Sequence, residues 1–400
     1  MSIHKVDKDE EGVSEGLIRQ VIAWRRHFHR HPELSFEEHA TAQFIADTLS
    51  SFEGIEISRP TPTSVVGRLT GGQPGRVLAL RADIDALPVK EENEFEFASE
   101  NPGVMHACGH DGHAAVLLGA ARILSERREQ LRGEILFLFQ HAEELPPGGA
   151  QQLVDAGVLD GVDAVIGAHL FSPLETGKVA VAYGPMLAAP DTFRITVRGV
   201  SGHAAMPHQT VDPIIIGAQL VTNLQQIVSR NTDPLERLVL SVTEFHGGTA
   251  HNVIPGTAEL GGTVRSFDQT LRQSVPERIR QIVKGITEAH GAEYEFQYDY
   301  GYRPVVNDES LTRVIEEAAV GLLGREAVVI QRPIMGGEDF SAYQQAAPGA
   351  FFNIGAGNAA LGIVHPHHHA RFTIDEDSLA IGVRLFVRIA HTFLHDAKTD

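Results

Sequence analysis

The chain predicts an α/β protein interrupted by a ferredoxin-like α+β unit, and three observations carry that expectation. Apolar strand runs at 76–83, 133–144 and 162–170 alternate with helical patterns, as in a mainly parallel sheet with helix crossovers. Between 188 and 302 the texture changes to short alternating strands and two amphipathic helices in the order β-α-β-β-α-β. After 303 the first texture resumes. With 400 residues, more than one hydrophobic core normally grows, so the expected boundaries are 1–187 with 303–400 for one domain and 188–302 for the insert.

Taken in order, Ser14–His31 reads as a helix with Leu17, Val21, Trp24 and Phe28 on one face, ended by Pro32. Ser35 and Glu38 have capping-box spacing for a second helix carried by Ala40, Phe44, Ile45 and Leu49. SVVGRLT (64–70), GGQPG (71–75) and RVLALRAD (76–83) read as a β-hairpin whose second arm ends in Asp83 and Asp85. A helix follows Met105–His113. GEILFLFQHAEE (133–144) is a strand ending in His141, Glu143 and Glu144, a helix covers about 149–156, and VDAVIGAHL (162–170) is a strand ending in His169. Three successive strands thus deliver polar residues at their C-terminal ends, where sites collect in open α/β sheets. In the insert, strands are expected at 191–199, 237–248, 256–268 and 292–302, with helices at 212–230 and 270–291. Beyond it come a helix near 309–323, the strand 350–357, the histidine-dense GIVHPHHHARF (362–372) and a terminal helix from about Asp375.

The net charge of −19 argues against nucleic acid and anionic membranes, which attract basic surfaces. A single cysteine excludes an intramolecular disulfide framework, the N-terminal stretch is polar and acidic, and no apolar run reaches membrane-span length. An acidic cytoplasmic enzyme is the expectation.

The chemistry concentrates in MHACGHDGH (105–113), which packs the only cysteine, three histidines and an aspartate into nine residues. Cys108 alone could be a buried core thiol, or a nucleophile. A nucleophile leaves the other histidines and the paired Glu143–Glu144 unexplained. Cys108, His110, Glu144, His169 and one histidine of 365–369 form a mixed S/N/O set suited to Zn, Mn, Co or Ni, and too many donors for one tetrahedral ion with an open position. Two divalent ions sharing a bridging ligand use them all. One of the two adjacent glutamates then ligates, and the other is free to act as general base.

FHRHPELSFEEHAT (28–41), LRADIDALP (80–88), MHACGHDGHAA (105–115), HAEE (141–144), VRGVSGHAAMPH (197–208), HNVIPGTAEL (251–260), TVRSFD (263–268) and GGEDFSAY (336–343), in that order, resemble the metallo-amidohydrolase family of aminoacylases and glutamate carboxypeptidases. The chain is most similar to the branch of hippurate hydrolases and indole-acetyl-amino-acid hydrolases. The resemblance implies a metallopeptidase-type α/β catalytic domain with an inserted lid and dimerisation domain. It implies metal ligation by Cys108, His110, Glu144, His169 and a C-terminal histidine, with Glu143 as general base. Asp85 becomes support for a ligand, whereas Asp83 stands where distant relatives carry a ligand histidine and has no role assigned. His203 matches a histidine sent into the partner subunit's site, and Asn252 and Arg265 match substrate contacts. Relatives show Leu-His-x-Pro before the final Phe/Tyr; here HHHARF (367–372) replaces it. Counting back from Phe372 selects His368, with His365, His367 and His369 as alternatives. The implied activity is hydrolysis of N-acyl-L-amino acids; the alternatives are a dipeptidase or carboxypeptidase on the same site, and a metal-binding protein without catalysis.

Overall fold

The computed structural model describes residues 12–395. The N-terminal stretch read above as polar and acidic lies mostly outside them. Among the described residues, no helix is long and apolar enough to cross a membrane. The chain forms two compact units. The first runs up to Met186 and takes in Val306–Arg332 and the chain from Asp339; the second comprises Leu187–Val305 and Pro333–Glu338. The short segment 333–338 therefore leaves the unit expected for it, because Ile334 bridges to Leu187 and the N–H of Ala188 donates to the carbonyl of Gly336.

The first unit opens with α1 (Glu15–Arg30), capped by the Ser14 hydroxyl on the N–H of Leu17, and α2 (His39–Ser50). There follow β1 (Ile55–Ser58), β2 (Val65–Thr70), β3 (Gln73–Asp83), α3 (His110–Glu126), β4 (Arg132–Gln140), α4 (Gly149–Asp155), β5 (Ala164–Glu175), β6 (Val179–Val181) and β7 (Gly184–Leu187). The insert contributes β8 (Ala189–Arg198), β9 (Gly202–His203), α5 (Pro213–Arg230), β10 (Leu238–Gly247), β11 (Val253–Ile254), β12 (Thr257–Ser266), α6 (Gln269–His290) and β13 (Glu293–Asp299). The return adds β14 (Val305–Asn307), α7 (Glu309–Leu323), β15 (Val328–Ile330), β16 (Gly349–Gly357) and α8 (Asp377–His395).

The main sheet has the order β1-β2-β4-β3-β5-β16-β6-β15, and its centre, β4, β3, β5 and β16, is parallel. Parallel central strands are covered on both faces, which is why these runs are continuously apolar rather than alternating. Helix α3 is buried at nearly every residue and packs on α1 and α8.

Two sequence expectations change here. Strands β2 and β3 do not form a hairpin: β4 lies between them, antiparallel to β2 and parallel to β3. The Gly-rich turn is tied to the chain leading into β4, with the N–H of Gly71 donating to the carbonyl of Gly133 and that of Gly72 to Arg128. Gly133 has φ +82°, and a Cβ there would lie 1.9 Å from the carbonyl oxygen of Arg76, so only glycine admits this splayed junction. Nor do Ser35 and Glu38 cap α2. The N–H groups of Ala40 and Thr41 in its first turn donate to the Glu33 carboxylate instead.

In the second unit the four strands order as β10-β12-β8-β13, all antiparallel, with α5 and α6 packed together and against them. This is the ferredoxin-like arrangement. Strand β8 alternates strictly, sending Phe193, Ile195 and Val197 into a core shared with Ile216, Leu220, Val275 and Ile279. Asp191, buried at its start, accepts from both Nε and Nη2 of Arg272 and from the Tyr298 hydroxyl.

Candidate metal centre

Strands β3, β4 and β5 run parallel, so their C-terminal ends lie at one edge, and the loop before α3 arrives there. Asp83 ends β3, and His141–Glu144 follow the last residue of β4. His169 departs from the expected strand end, since β5 continues to Glu175 and pairs His169 with Asn353. On its other side the ladder to β3 stops at Gly167, which frees the His169 ring to enter the site. His110 is the first residue of α3; Gly109 before it has φ +97°, turning the chain so that Cys108 and His110 converge.

Two groups of potential ligand atoms contain Cys108, the atoms of each lying within 4.8 Å of one another: Cys108 with His110 and Glu144, and Cys108 with His169 and His367. Cys108 belongs to both. Its Sγ lies 3.5 Å from Nε2 of His169, and Nε2 of His110 lies 4.0 Å from Oε1 of Glu144. His368 reaches the same carboxylate oxygen with Nε2 at 3.1 Å. His365 and His369 stack on each other at 4.3 Å instead.

The candidate ligand atoms are held in place by their neighbours. Nδ1 of His110 donates to the Asp85 carbonyl at 3.0 Å and carboxylate at 3.1 Å; buried Nε2 has no hydrogen-bond partner among the described residues. Nδ1 of His169 likewise donates to the carbonyl of Leu170 at 3.1 Å. Such partners are what fix metal-binding tautomers. Asp85 also accepts from the Ser35 hydroxyl and the N–H of Glu144. Asp83 is tied on both oxygens: Nη1 of Arg81 donates to one at 2.8 Å and Nδ1 of His113 to the other at 2.5 Å.

Electrostatics favour a cation. Burial, then the charges of Glu144, Glu143 and Asp83, push the Cys108 thiol well above its ordinary range; bound cations reverse that balance. Burial opposes charge on His110, but Asp83, Asp85 and Glu144 outweigh it and lift the imidazole to about 10. Burial and neighbouring imidazoles hold His169 well down, as the neutral donor. A shared sulfur, an unpartnered imidazole nitrogen and a surplus of carboxylates fit two divalent ions.

The other polar residues of the motif hold the loop. Asp111 accepts from Nε of Arg25 at 2.7 Å and Nδ1 of His29 at 2.8 Å, locking α3 to α1. Buried His106 is pushed to about 3, chiefly by burial. Glu143 is buried but outside both Cys108 groups. It follows Ala142, whose φ of +48° is rare for a residue with a side chain and is held by a hydrogen bond from its N–H to the buried Glu38 carboxylate at 2.8 Å. Glu38, Ser35 and His113 went unassigned in the sequence because capping spacing explained the first two and no local pattern marks the third.

His203, Asn252 and Arg265 all lie in the second unit. His203 and Asn252 are both exposed and meet at the β9–β11 ladder, where the N–H of Ala204 donates to the Asn252 carbonyl. Half-buried Arg265 donates to Thr263 and to the carbonyl of Val264, and its pKa is lowered by burial.

An α/β sheet edge that gathers a sulfur common to two donor groups, imidazoles and carboxylates has the donor set of a metal-dependent hydrolase. Residues 79–392 match the model of peptidase family M20/M25/M40, and the chain belongs to that family. It is 69% identical over 287 residues to an N-acyl-L-amino acid amidohydrolase of Geobacillus stearothermophilus, covering 72% of this chain and 78% of that one. It is 41% identical to an N-acetylcysteine deacetylase of Bacillus subtilis, covering 95% and 98%. Among solved structures, the Bacillus subtilis YxeP protein, described as a dinuclear metal-binding peptidase of the M20 family, superposes with a TM-score of 0.83 at 37% identity, covering 95% and 99%.

Proposed function

We propose that the protein hydrolyses the amide bond of N-acyl-L-amino acids, with Cys108, His110, Glu144, His169 and His368 holding two divalent ions. The observation that carries this reading is the pair of donor groups that share Cys108, with Glu143, a second buried carboxylate, next to Glu144 in the chain. The names of the amidohydrolase and deacetylase relatives support the substrate class. When bound, the ions supply Lewis acidity, polarising the amide carbonyl and easing deprotonation of water. Glu143 takes the proton of the attacking water and returns it to the departing amine. Arg265 and Asn252 hold the free carboxylate of the amino acid, and His203 donates to the developing oxyanion.

Zn, Mn, Co and Ni all suit the donor set. A thiolate that must stay reduced to bind metal fits the cytoplasm. The second unit's sheet ends in β10 and β13, edges able to pair with a second copy, and a homodimer would bring His203 of one chain to the other's site. Metal analysis with a substrate panel tests the reading. N-acyl amino acids with a free carboxylate should be cleaved well, and those with an amidated carboxylate poorly. Faster cleavage of dipeptides would replace it with a peptidase, and full metal occupancy without turnover on the whole panel would leave a binding protein.

A further inference from the structure

We propose that His367 is a positioning residue that donates a hydrogen bond from Nδ1 to the Cys108 sulfur, tuning the atom shared by both donor groups. The proposal rests on Cys108 being a metal ligand. The N–H of Ser172 donates to Nε2 of His367 at 3.2 Å, so that nitrogen uses its lone pair as an acceptor. In a neutral imidazole the ring proton then sits on Nδ1, the atom 3.8 Å from Sγ of Cys108. A nitrogen carrying a proton does not coordinate a metal; it donates. The adjacent histidines thus divide, His368 facing the Glu144 carboxylate and His367 facing sulfur.

The surroundings hold the ring in that pose. His367 stacks on Phe171 at 5.4 Å and 20°, stands edge-on to His169 at 4.9 Å, and lies 5.0 Å from Phe372. The N–H of His368 donates to the carbonyl of Ala107 at 2.8 Å, stapling the histidine loop to the residue before Cys108. His368 itself has φ +66°, so the turn that aims both side chains is conformationally costly and is held by these contacts. Negative charges of Glu144, Glu143 and Asp83 surround the sulfur. One N–H aimed at it offsets them and draws electron density from the thiolate, so that the bound ions lose less of their acidity to it.

Cobalt(II) loading provides the test, because the sulfur-to-cobalt charge-transfer band reports directly on the thiolate. His367→Phe keeps the stack on Phe171 and removes the donor. It should retain both cobalt ions and move the band to longer wavelength, with cobalt affinity altered about 10- to 100-fold. His367→Gln, whose amide can still donate, should shift it less, and it carries the test should His367→Phe not fold. An unmoved band in these variants at full cobalt content would overturn the proposal. Loss of one cobalt from His367→Phe, with both kept by His368→Ala, would overturn it by making His367 the ligand. Wild-type protein holding cobalt without any such band would remove Cys108 as a ligand and overturn both this proposal and the ligand set it rests on.

Discussion

Glu38→Gln isolates the cost of burying the carboxylate that holds the N–H of Ala142. Glu38 is wholly buried, and burial above all, aided by the negative charge of Asp85, lifts its pKa from the ordinary 4.5 to about 7. A carboxyl whose pKa is raised by folding favours the protonated form. Its penalty is absent below about pH 4.5, grows as the pH rises, and is complete above about 7. At about 1.4 kcal/mol per pH unit, that interval is about 3 kcal/mol. Glutamine keeps a carbonyl oxygen for the N–H of Ala142 and cannot ionise. The variant should therefore be close to wild type in stability at pH 5 and gain about 2–3 kcal/mol on it by pH 8. Urea unfolding of the metal-free protein, followed by fluorescence, is the assay. Trp24 is the chain's one tryptophan and is buried on α1 in the first unit, so the signal reports the unit that contains Glu38. Equal pH dependence of the two proteins would refute the reasoning.

Glu143→Gln should keep both metals, measured by elemental analysis, while kcat falls about 10²- to 10⁴-fold, the range for loss of a general base. Cys108→Ala should lose metal and activity together, whereas a nucleophilic cysteine would lose activity with metal retained. His368→Ala should deplete metal more than His365→Ala or His369→Ala, whose rings stack on each other. Inactive Glu143→Ala and His203→Ala chains, refolded together, should recover roughly a quarter of wild-type activity, since half of randomly paired dimers are mixed and each has one complete site; background activity with mixed dimers present would place His203 in its own chain's site.

Periodicity and residue chemistry made much of this protein legible before folding. The alternation of β8, the amphipathic α5 and α6 and the order of the insert are local patterns set by backbone sterics and one-sided burial, and they survive in the structure. Cys108, His110 and His169 could be paired on paper because soft and borderline ligands are rare and chemically distinctive. Long-range competition decided the rest. The turn at 71–75 carries no information about which strand will lie beside β3, and β4, arriving some fifty residues later, takes the place between the hairpin's arms. Ser35 and Glu38 have the right atoms to cap α2, but a carboxylate bonds whichever N–H tertiary packing brings to it, and that is Ala142. The same holds for the histidines of 365–369, equivalent as a string of imidazoles. Only the Ser172 N–H behind one ring and the Glu144 carboxylate before the next give His367 and His368 different chemistry, because a histidine's role is set by what its second nitrogen meets.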